Sequence, residues 1–325
     1  MRIATFATFI VLVLTTSARA TEALVFETSI RLPGVKGRID HLAFDANQKR
    51  LYVAALGNNT VEVVDTSNRQ RLKSLTGFSE PQGVLVVPES GRLYVANGSD
   101  GTVRVWDTTA LKELARIPVG DDADNLRYDA AAKRVYVGFG NGALGEIDPK
   151  SKQLIGQIAL KAHPESFQIE KGGQRIFVNT PGSHGIAIVN RSAKAEVNSL
   201  DLGFAAANFP LALDEEHHRV FVGCRLPPRL LIFDTETSKS VEKLDLNGDC
   251  DDIFYDQQRQ RIYASCGEGY VDVFQRDDAE HYRRIAEIKT APKARTSLWV
   301  GDRLFLAVPA SGAQEAHIAV YSLGR

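Results

Sequence analysis

The sequence repeats a short β-type pattern seven times along its 325 residues. Each copy opens with an arginine followed by apolar residues, as in RLYVA at Arg50 and again at Arg92. The other copies open at Arg134, Arg175, Arg219, Arg261 and Arg303, and the spacings are 42, 42, 41, 44, 42 and 42 residues. A period of this length is typical of β-propellers, in which one repeat forms one four-stranded blade. The sequence therefore predicts an all-β fold, a seven-bladed β-propeller with four-stranded antiparallel blades.

The two ends of the repeat region predict how the ring closes. The third strand of the last repeat, Ile318 to Tyr321, is followed by too few residues for a fourth strand. The stretch from Leu24 to Leu32 has strand character but belongs to no repeat. We expect this N-terminal strand to close the ring in the last blade, because pairing both ends of the chain leaves no open edge there.

Residues 1–20 have the pattern of a secretion signal. Arg2 provides a positive start, Phe6 to Leu14 an apolar core, and Ala18-Arg19-Ala20 a cleavage site. The apolar core is shorter than a membrane span. We therefore expect a signal peptide over 1–20 and the propeller over 21–325, in a periplasmic or secreted protein that has no membrane span after signal cleavage.

The second repeat carries a resemblance to a known family. The stretch Arg92 to Gly120 reads RLYVANGSDGTVRVWD and ends in LARIPVG. It resembles the YVTN-type β-propeller repeat of YncE-like periplasmic proteins, a WD40-like architecture, and the similarity extends over essentially all of 21–325. Blades five and seven depart from the pattern. The resemblance implies the propeller scaffold, and it implies a binding or scaffold protein; we also expect a monomer.

Comparing the seven repeats separates scaffold residues from candidate site residues. An aspartate ends the third strand in four blades, where its side chain can accept hydrogen bonds from the next turn. These residues are Asp65, Asp107, Asp148 and Asp234. The repeated arginines and Trp106 also have equivalents in other blades. We therefore interpret all of them as structural.

The segments that precede the first strand of each blade are polar, but their chemistry changes from blade to blade. First strands are innermost in a propeller, so we expect these segments to meet at one mouth of the central channel. The predicted binding residues at this mouth are Arg38, Asp40, His41, Gln82, Asp122, Asp124, Asn125, His163, Glu165, Asn208, Asp249, Asp251, Asp252 and Arg295. Three residues of neighbouring turns, His184, Arg225 and Glu268, are secondary candidates.

The predicted mouth contains more acidic than basic side chains. Crowded carboxylates repel one another unless a cation compensates them, so we expect a positive occupant. A small cationic ligand, a basic protein partner and a divalent metal ion all fit this expectation, and a solvated channel without a ligand is the alternative. The metal ligands would come from Asp40, His41, Asp124, His163, Glu165 and Asp251. No cofactor is required by the sequence, and nucleic acid is not expected at an acidic mouth.

Two hypotheses for function follow. The first is an exported binding or scaffold protein that recognises a cationic ligand, metal or protein partner at the mouth. The alternative is a metal-dependent propeller enzyme of the lactonase, lyase or hydrolase kind, with a divalent ion over the channel and His41 or His163 as candidate base. No P-loop, Rossmann glycine pattern, G-x-S-x-G or H-E-x-x-H stands in a supporting context, and catalytic residues stay unassigned.

The three cysteines fall near the same face in blades five and six. A hairpin between the first two strands of blade six places Cys250 nearly opposite Cys266. A disulfide between these two is therefore the first prediction. A Cys250–Cys224 contact, three free thiols and a thiolate metal site with Asp251 are the alternatives.

Overall fold

The computed structural model describes residues 23–324. These residues form seven four-stranded antiparallel sheets and three short 3-10 helices, Leu56–Asn58, Pro88–Ser90 and Pro181–Ser183. The predicted signal peptide lies outside the described residues. No helix within 23–324 has the length and apolar character needed to cross a membrane.

The strands follow the repeat in chain order. Strand β1 is Leu24–Arg31. Blade one contains β2 (Leu42–Asp45), β3 (Arg50–Ala55), β4 (Thr60–Asp65) and β5 (Gln70–Leu75). Blade two contains β6 (Pro81–Val87), β7 (Arg92–Asn97), β8 (Thr102–Asp107) and β9 (Glu113–Pro118). Blade three contains β10 (Leu126–Asp129), β11 (Arg134–Phe139), β12 (Ala143–Asp148) and β13 (Gln153–Ala159).

The second half of the ring repeats this arrangement. Blade four contains β14 (Phe167–Ile169), β15 (Arg175–Thr180), β16 (Gly185–Asn190) and β17 (Ala195–Asp201). Blade five contains β18 (Ala206–Asp214), β19 (Arg219–Leu226), β20 (Pro228–Asp234) and β21 (Ser240–Asp245). Blade six contains β22 (Cys250–Asp256), β23 (Arg261–Cys266), β24 (Tyr270–Arg276) and β25 (Tyr282–Lys289). Blade seven contains β26 (Ser297–Val300), β27 (Arg303–Val308) and β28 (His317–Leu323), and its outer strand is β1.

The predicted ring closure is confirmed. Strand β1 pairs antiparallel with β28, so that Leu24 lies opposite Leu323 and Arg31 lies opposite His317. Leu24 and Ile30 of β1 are buried at 2% and 1% exposure, which anchors the strand to the core of the last blade. The first and last segments of the described chain are therefore held in one sheet.

The second strand of each blade forms its best-buried layer. In β3 and β7 every residue after the opening arginine is buried, and Tyr52 and Tyr94 are completely inaccessible to solvent. Both faces of such a strand are covered, because a neighbouring blade packs on each side. This burial on both faces explains why the repeated pattern is a continuous apolar run and does not alternate between apolar and polar residues.

The repeated aspartates close turns, as expected. Asp107 Oδ1 accepts hydrogen bonds from the N–H groups of Thr109 and Ala110 at 2.9 and 2.8 Å. These hydrogen bonds lower the pKa of Asp107. Its second oxygen accepts a hydrogen bond at 2.6 Å from Arg92, the repeated arginine of the same blade. Trp106 is buried and stacks on Phe78 with ring centroids 5.5 Å apart, so it also belongs to the scaffold.

The first strands surround the central channel. They are short in most blades, for example four residues in β2 and three in β14. Residues from the first strands of six blades line a channel cavity of 310 Å³. The polar segments that precede these strands lie at one end of this cavity, and this end carries the candidate site.

Candidate functional site

One residue from each blade forms a ring around the channel mouth. In six blades it lies ten residues before the repeated arginine, and blade seven has a shorter turn. We call this set the mouth ring; it consists of Asp40, Gln82, Asp124, Glu165, Phe209, Asp251 and Arg295. All seven line a cavity of 160 Å³, whose wall also includes Arg38, His41, Asp122, His163 and Arg225.

Backbone hydrogen bonds to the second strand fix the mouth ring. The N–H of Asp40 donates to Ala54 O at 2.7 Å, and the N–H of Glu165 donates to Asn179 O at 2.9 Å. The same bond in blade three joins Asp124 N–H to the carbonyl of Gly138 at 2.9 Å. These side chains are therefore held at one height because they occupy one position of the repeat.

A glycine allows two neighbouring blades to approach closely at this level. A Cβ atom added to Gly83 would lie only 2.1 Å from the carbonyl oxygen of Asp124. No side chain fits there without moving the backbone that carries Asp124. The glycine in blade two therefore helps to set the position of the acidic residue in blade three.

Ten of the fourteen predicted binding residues line the mouth cavity. They are Arg38, Asp40, His41, Gln82, Asp122, Asp124, His163, Glu165, Asp251 and Arg295. Asn125 and Asp252 lie one residue further along the chain than their blade's ring member, and they line the channel cavity. Asp249 lines an adjacent cavity of 380 Å³ that also includes Arg295. Of the secondary candidates, Arg225 lies at the mouth, whereas His184 and Glu268 are exposed outside this cavity.

The structure does not place Asn208 at the mouth. Its side chain is completely buried, and its amide nitrogen donates to Asn179 Oδ1 at 3.0 Å and to Gly185 O at 2.9 Å. The ring member of blade five is the next residue, Phe209, because adjacent residues of an extended segment point in opposite directions. Asn208 therefore joins blades four and five and does not contact the cavity.

The sequence analysis missed Arg127, which lines the channel cavity below the mouth. Its guanidinium donates to Leu126 O at 2.8 Å and to Ser166 Oγ at 3.3 Å, and burial lowers the pKa of this side chain. In the ladder between β10 and β11, Arg127 lies opposite the aromatic residue Tyr136. The equivalent residues of the other blades carry no charge; they are Ala43, Leu85, Gln168, Ala212, Phe254 and Leu298. The blade-by-blade comparison that selected the mouth segments would have found Arg127 had it been extended to the first strands.

Arginines neutralise two of the four mouth-ring carboxylates. Arg38 Nη2 lies 2.7 Å from Asp40 Oδ2. Arg295 Nε lies 2.9 Å from Asp251 Oδ2, and Arg225 forms a second ion pair with Asp251. The Arg225 guanidinium also stacks over the Phe209 ring at 4.0 Å, so the aromatic ring member orients one of the neutralising arginines.

The other two carboxylates, Asp124 and Glu165, lack this compensation. Neither forms an ion pair with a lysine or arginine within residues 23–324, and Asp124 Oδ1 is buried without a hydrogen-bond partner. Burial raises the pKa of Asp124, and the neighbouring Glu165 and Asp40 raise it further. Burial likewise raises the pKa of Glu165, with a further contribution from Asp251. One side of the mouth is therefore electrostatically unsatisfied.

His41 connects the mouth with the channel, since it lines both cavities. Its Nε2 lies 3.8 Å from Asp40 Oδ1, and its Nδ1 lies 3.7 Å from Asp252 Oδ1. Burial alone would lower the pKa of His41, but Asp40 and Asp252 outweigh this effect and the net shift is upward. Burial raises the pKa of Asp252 to about 7, although its Oδ2 accepts a 2.7 Å hydrogen bond from the Ser297 N–H.

The proposed metal ligands do not all come together. One ligand atom from each of Asp124, His163 and Glu165 lies within 4.8 Å of the other two. Asp40, His41 and Asp251 are outside this group. Their carboxylates and imidazole are instead engaged with the arginines or with Asp252, as described above.

The cysteines agree with the predicted register but do not form the predicted bond in this structure. Cys250 lies opposite Cys266 in the ladder between β22 and β23, next to an irregularity in the pairing. All three cysteines are buried free thiols. Burial raises the pKa of Cys224 to about 12 and that of Cys250 well above its usual value, so these two thiols are weak metal ligands.

Comparisons with known proteins agree with the fold. No family model matches the chain. The transcription factor unc-37 of Caenorhabditis elegans is 24% identical over 171 residues, which is 50% of this chain and 28% of that protein. The matched region thus spans less than a third of this relative.

Solved structures match over most of the chain. A chain of Kuenenia stuttgartiensis hydrazine synthase superimposes with a TM-score of 0.76 at 16% identity, covering 87% of this chain and 99% of its own. A chain of the mitotic checkpoint complex superimposes with a TM-score of 0.80 at 13% identity, covering 100% and 99%. At these identities the similarity shows the β-propeller fold alone and carries no information about the ligand.

Proposed function

We propose that this protein is an exported binding propeller that recognises a small cationic group at its channel mouth. The observation that carries the proposal is the uneven charge compensation of the mouth ring. Five carboxylates and three arginines line the mouth cavity, yet the arginines form ion pairs with Asp40 and Asp251, while Asp124 and Glu165 form none with a lysine or arginine of residues 23–324. A positively charged occupant would remove this repulsion.

The size of the mouth limits what can enter. The cavity of 160 Å³ has the volume of about five water molecules in the liquid, at ~30 Å³ each. Such a volume admits a metal ion with its waters, an amine, or the end of one basic side chain. A protein partner would therefore place a lysine or arginine in the cavity and contact the rim with the rest of its surface.

The sequence pattern of residues 1–20 and the resemblance of Arg92 to Gly120 to the YVTN-type repeat support export and a YncE-like role. A periplasmic or secreted location fits a protein whose ligand is recognised on an open face of a rigid ring. The alternative, a metal-dependent lactonase, lyase or hydrolase, needs a metal ion at the same mouth. Binding of the cation is therefore the first property to measure.

The test is thermal stabilisation of the full chain by cations of different classes at constant ionic strength. We expect spermidine or a divalent metal ion to raise the Tm, because a ligand at ~100 times its Kd adds about 2.7 kcal/mol to the free energy of unfolding. The double variant Asp124→Asn/Glu165→Gln should lose this response. The control variant Asp302→Asn should keep the response. Asp302 lies in the turn between β26 and β27, and its side chain is 72% exposed.

Two results would contradict the proposal. The first is that no cation raises the Tm above that in sodium chloride. The second is that the double variant responds as strongly as the unchanged protein.

A further inference from the structure

Asp124, His163 and Glu165 lie close enough together to act as ligands of one metal ion. Their ligand atoms lie within 4.8 Å of one another. Oxygen and nitrogen ligands bind Zn²⁺ at about 2.0–2.2 Å, so two ligands of one ion are at most ~4.4 Å apart. The three side chains would therefore have to rotate toward one another to bring all three ligand atoms to bonding distance.

The environment of Asp124 is a second, independent observation at this site. The residue is only 6% exposed, it lines the mouth cavity, and its Oδ1 has no hydrogen-bond partner. Asp40 Oδ2 and Asp251 Oδ2 also lack a hydrogen bond, but each of them faces an arginine, whereas Asp124 forms no ion pair with a lysine or arginine within residues 23–324. Leaving a buried carboxylate oxygen without a partner is unfavourable, and such groups in folded proteins are rare. An ion in the cavity would supply the missing partner.

A backbone carbonyl fixes one ring nitrogen of His163. Its Nδ1 lies 2.6 Å from the carbonyl oxygen of Gly140. Since a carbonyl can only accept, Nδ1 carries the proton and Nε2 keeps its lone pair for a metal ion. Asp122 lies 3.7 Å from the same Nδ1 and reinforces this tautomer. Fixing the second ring nitrogen by a carbonyl or carboxylate is the usual arrangement around histidine ligands.

The other two mouth-ring carboxylates differ from Asp124 and Glu165 in their partners. Asp40 and Asp251 occupy the same position of the repeat and are each held by an arginine. Blades three and four place no lysine or arginine against their ring carboxylates within the part of the chain that the structure describes; instead they offer His163. An imidazole near two carboxylates can bind a metal ion together with them. An arginine beside a carboxylate forms an ion pair and has no lone pair to offer a metal ion.

We propose that Asp124, His163 and Glu165 bind one first-row divalent metal ion, with Zn²⁺ as the ion that best matches two carboxylates and one imidazole. This inference rests on the proposed function, since it names the class of cation. Ca²⁺ and Mg²⁺ prefer sites built from oxygen ligands alone, so they are expected to bind more weakly. Three protein ligands leave at least one position of the ion open toward the mouth cavity.

The experiment is titration of the chelator-treated full chain with Zn²⁺, followed by calorimetry, and with Co²⁺, followed by its visible absorption. We expect one ion per chain and a Co²⁺ spectrum typical of mixed nitrogen and oxygen ligands. Loss of a second-shell partner alone weakens metal binding about 10–100-fold, so Asp124→Asn, His163→Gln and Glu165→Gln should each weaken it by about 100-fold or more. His184→Gln, an exposed histidine outside the cavity, is the matched control.

The outcomes separate this inference from the proposed function. Zn²⁺ binding that survives all three variants, or that His184→Gln weakens equally, overturns the site. Spermidine binding without Zn²⁺ or Co²⁺ binding overturns the metal inference and leaves the cation-binding mouth in place. The absence of binding by any cation overturns both. Circular dichroism of each variant checks folding, and the three independent substitutions keep the test decisive if one of them fails to fold.

Discussion

Buried ion pairs at the mouth depend on a few arginines that reach across blades. Arg225 of blade five contacts Asp249 Oδ1 at 3.3 Å and the carbonyl of Cys250 at 3.1 Å, and it also pairs with Asp251. Asp251 is only 8% exposed, so its charge depends on these partners for compensation. The positive charge of Arg225 is therefore needed for stability as well as for the shape of the mouth.

Arg225→Met should destabilise the protein by about 2 kcal/mol, because it leaves the buried Asp251 with Arg295 as its remaining cation. The matched control is Arg229→Met. Arg229 pairs with Asp245 at the surface, where the two side chains are 41% and 81% exposed, and such a pair contributes less than about 1 kcal/mol. Urea unfolding of both variants measures the difference. Equal losses for the two variants would contradict the importance of the cross-blade pair.

At the scale of a strand, β1 holds the ring closed. It pairs with β28 from Leu24 to Arg31, with one irregularity between Phe26 and Thr28. Without β1, strand β28 would become the exposed edge of the last blade and a template for unwanted pairing. The strand thus contributes both side-chain burial and backbone hydrogen bonds to one end of the chain.

Deleting residues 21–33 should lower the Tm sharply and promote aggregation. A milder comparison uses single residues of β1: Ile30→Ala removes a side chain that is 1% exposed and should cost about 2–5 kcal/mol, whereas Val25→Ala, at 40% exposure, should cost much less. Thermal melts with light scattering report both effects. A deletion variant that melts like the complete chain would show that the ring does not need this strand.

At the scale of the whole molecule, stability should have an acidic optimum. The folded state raises the pKa of Asp252 and of Glu165 to about 7 and that of Asp124 to about 8, and it also raises the pKa of His41, so these groups bind protons that the unfolded chain releases earlier as the pH increases. The groups that face Asp252 are His41, Arg127, Asp251 and the Ser297 N–H. In contrast, turn aspartates such as Asp107 have a lowered pKa, so their contribution to the free energy of unfolding is lost only in more acidic solution.

We therefore expect the Tm of the metal-free protein to fall as the pH rises from about 5 to about 8, and also to fall below about pH 4. Asp252→Asn should make the upper branch less steep, and near pH 8 its Tm should exceed that of the unchanged protein by about 2 °C or more. Differential scanning fluorimetry across this range at constant ionic strength measures both curves. A Tm that is flat or increasing between about pH 5 and 8 would contradict the prediction.

The sequence by itself determined the scaffold and the level at which the site lies. Seven arginine-led repeats specify seven blades, because each blade has to supply the same buried second strand. The unassigned N-terminal strand and the missing last strand predicted the closure. Repetition also identified the mouth, since residues at one repeat position must lie at one height of the ring.

Only the tertiary structure decided which of these residues act together. It placed Phe209 at the mouth and buried its neighbour Asn208, and it brought Arg225 and Arg295 to Asp251. These pairings join different blades, so they depend on the radius of the ring and on side-chain directions, and the spacing along the chain does not contain this information. For the same reason, only the structure selected Asp124, His163 and Glu165 from the six metal ligands that the sequence predicted.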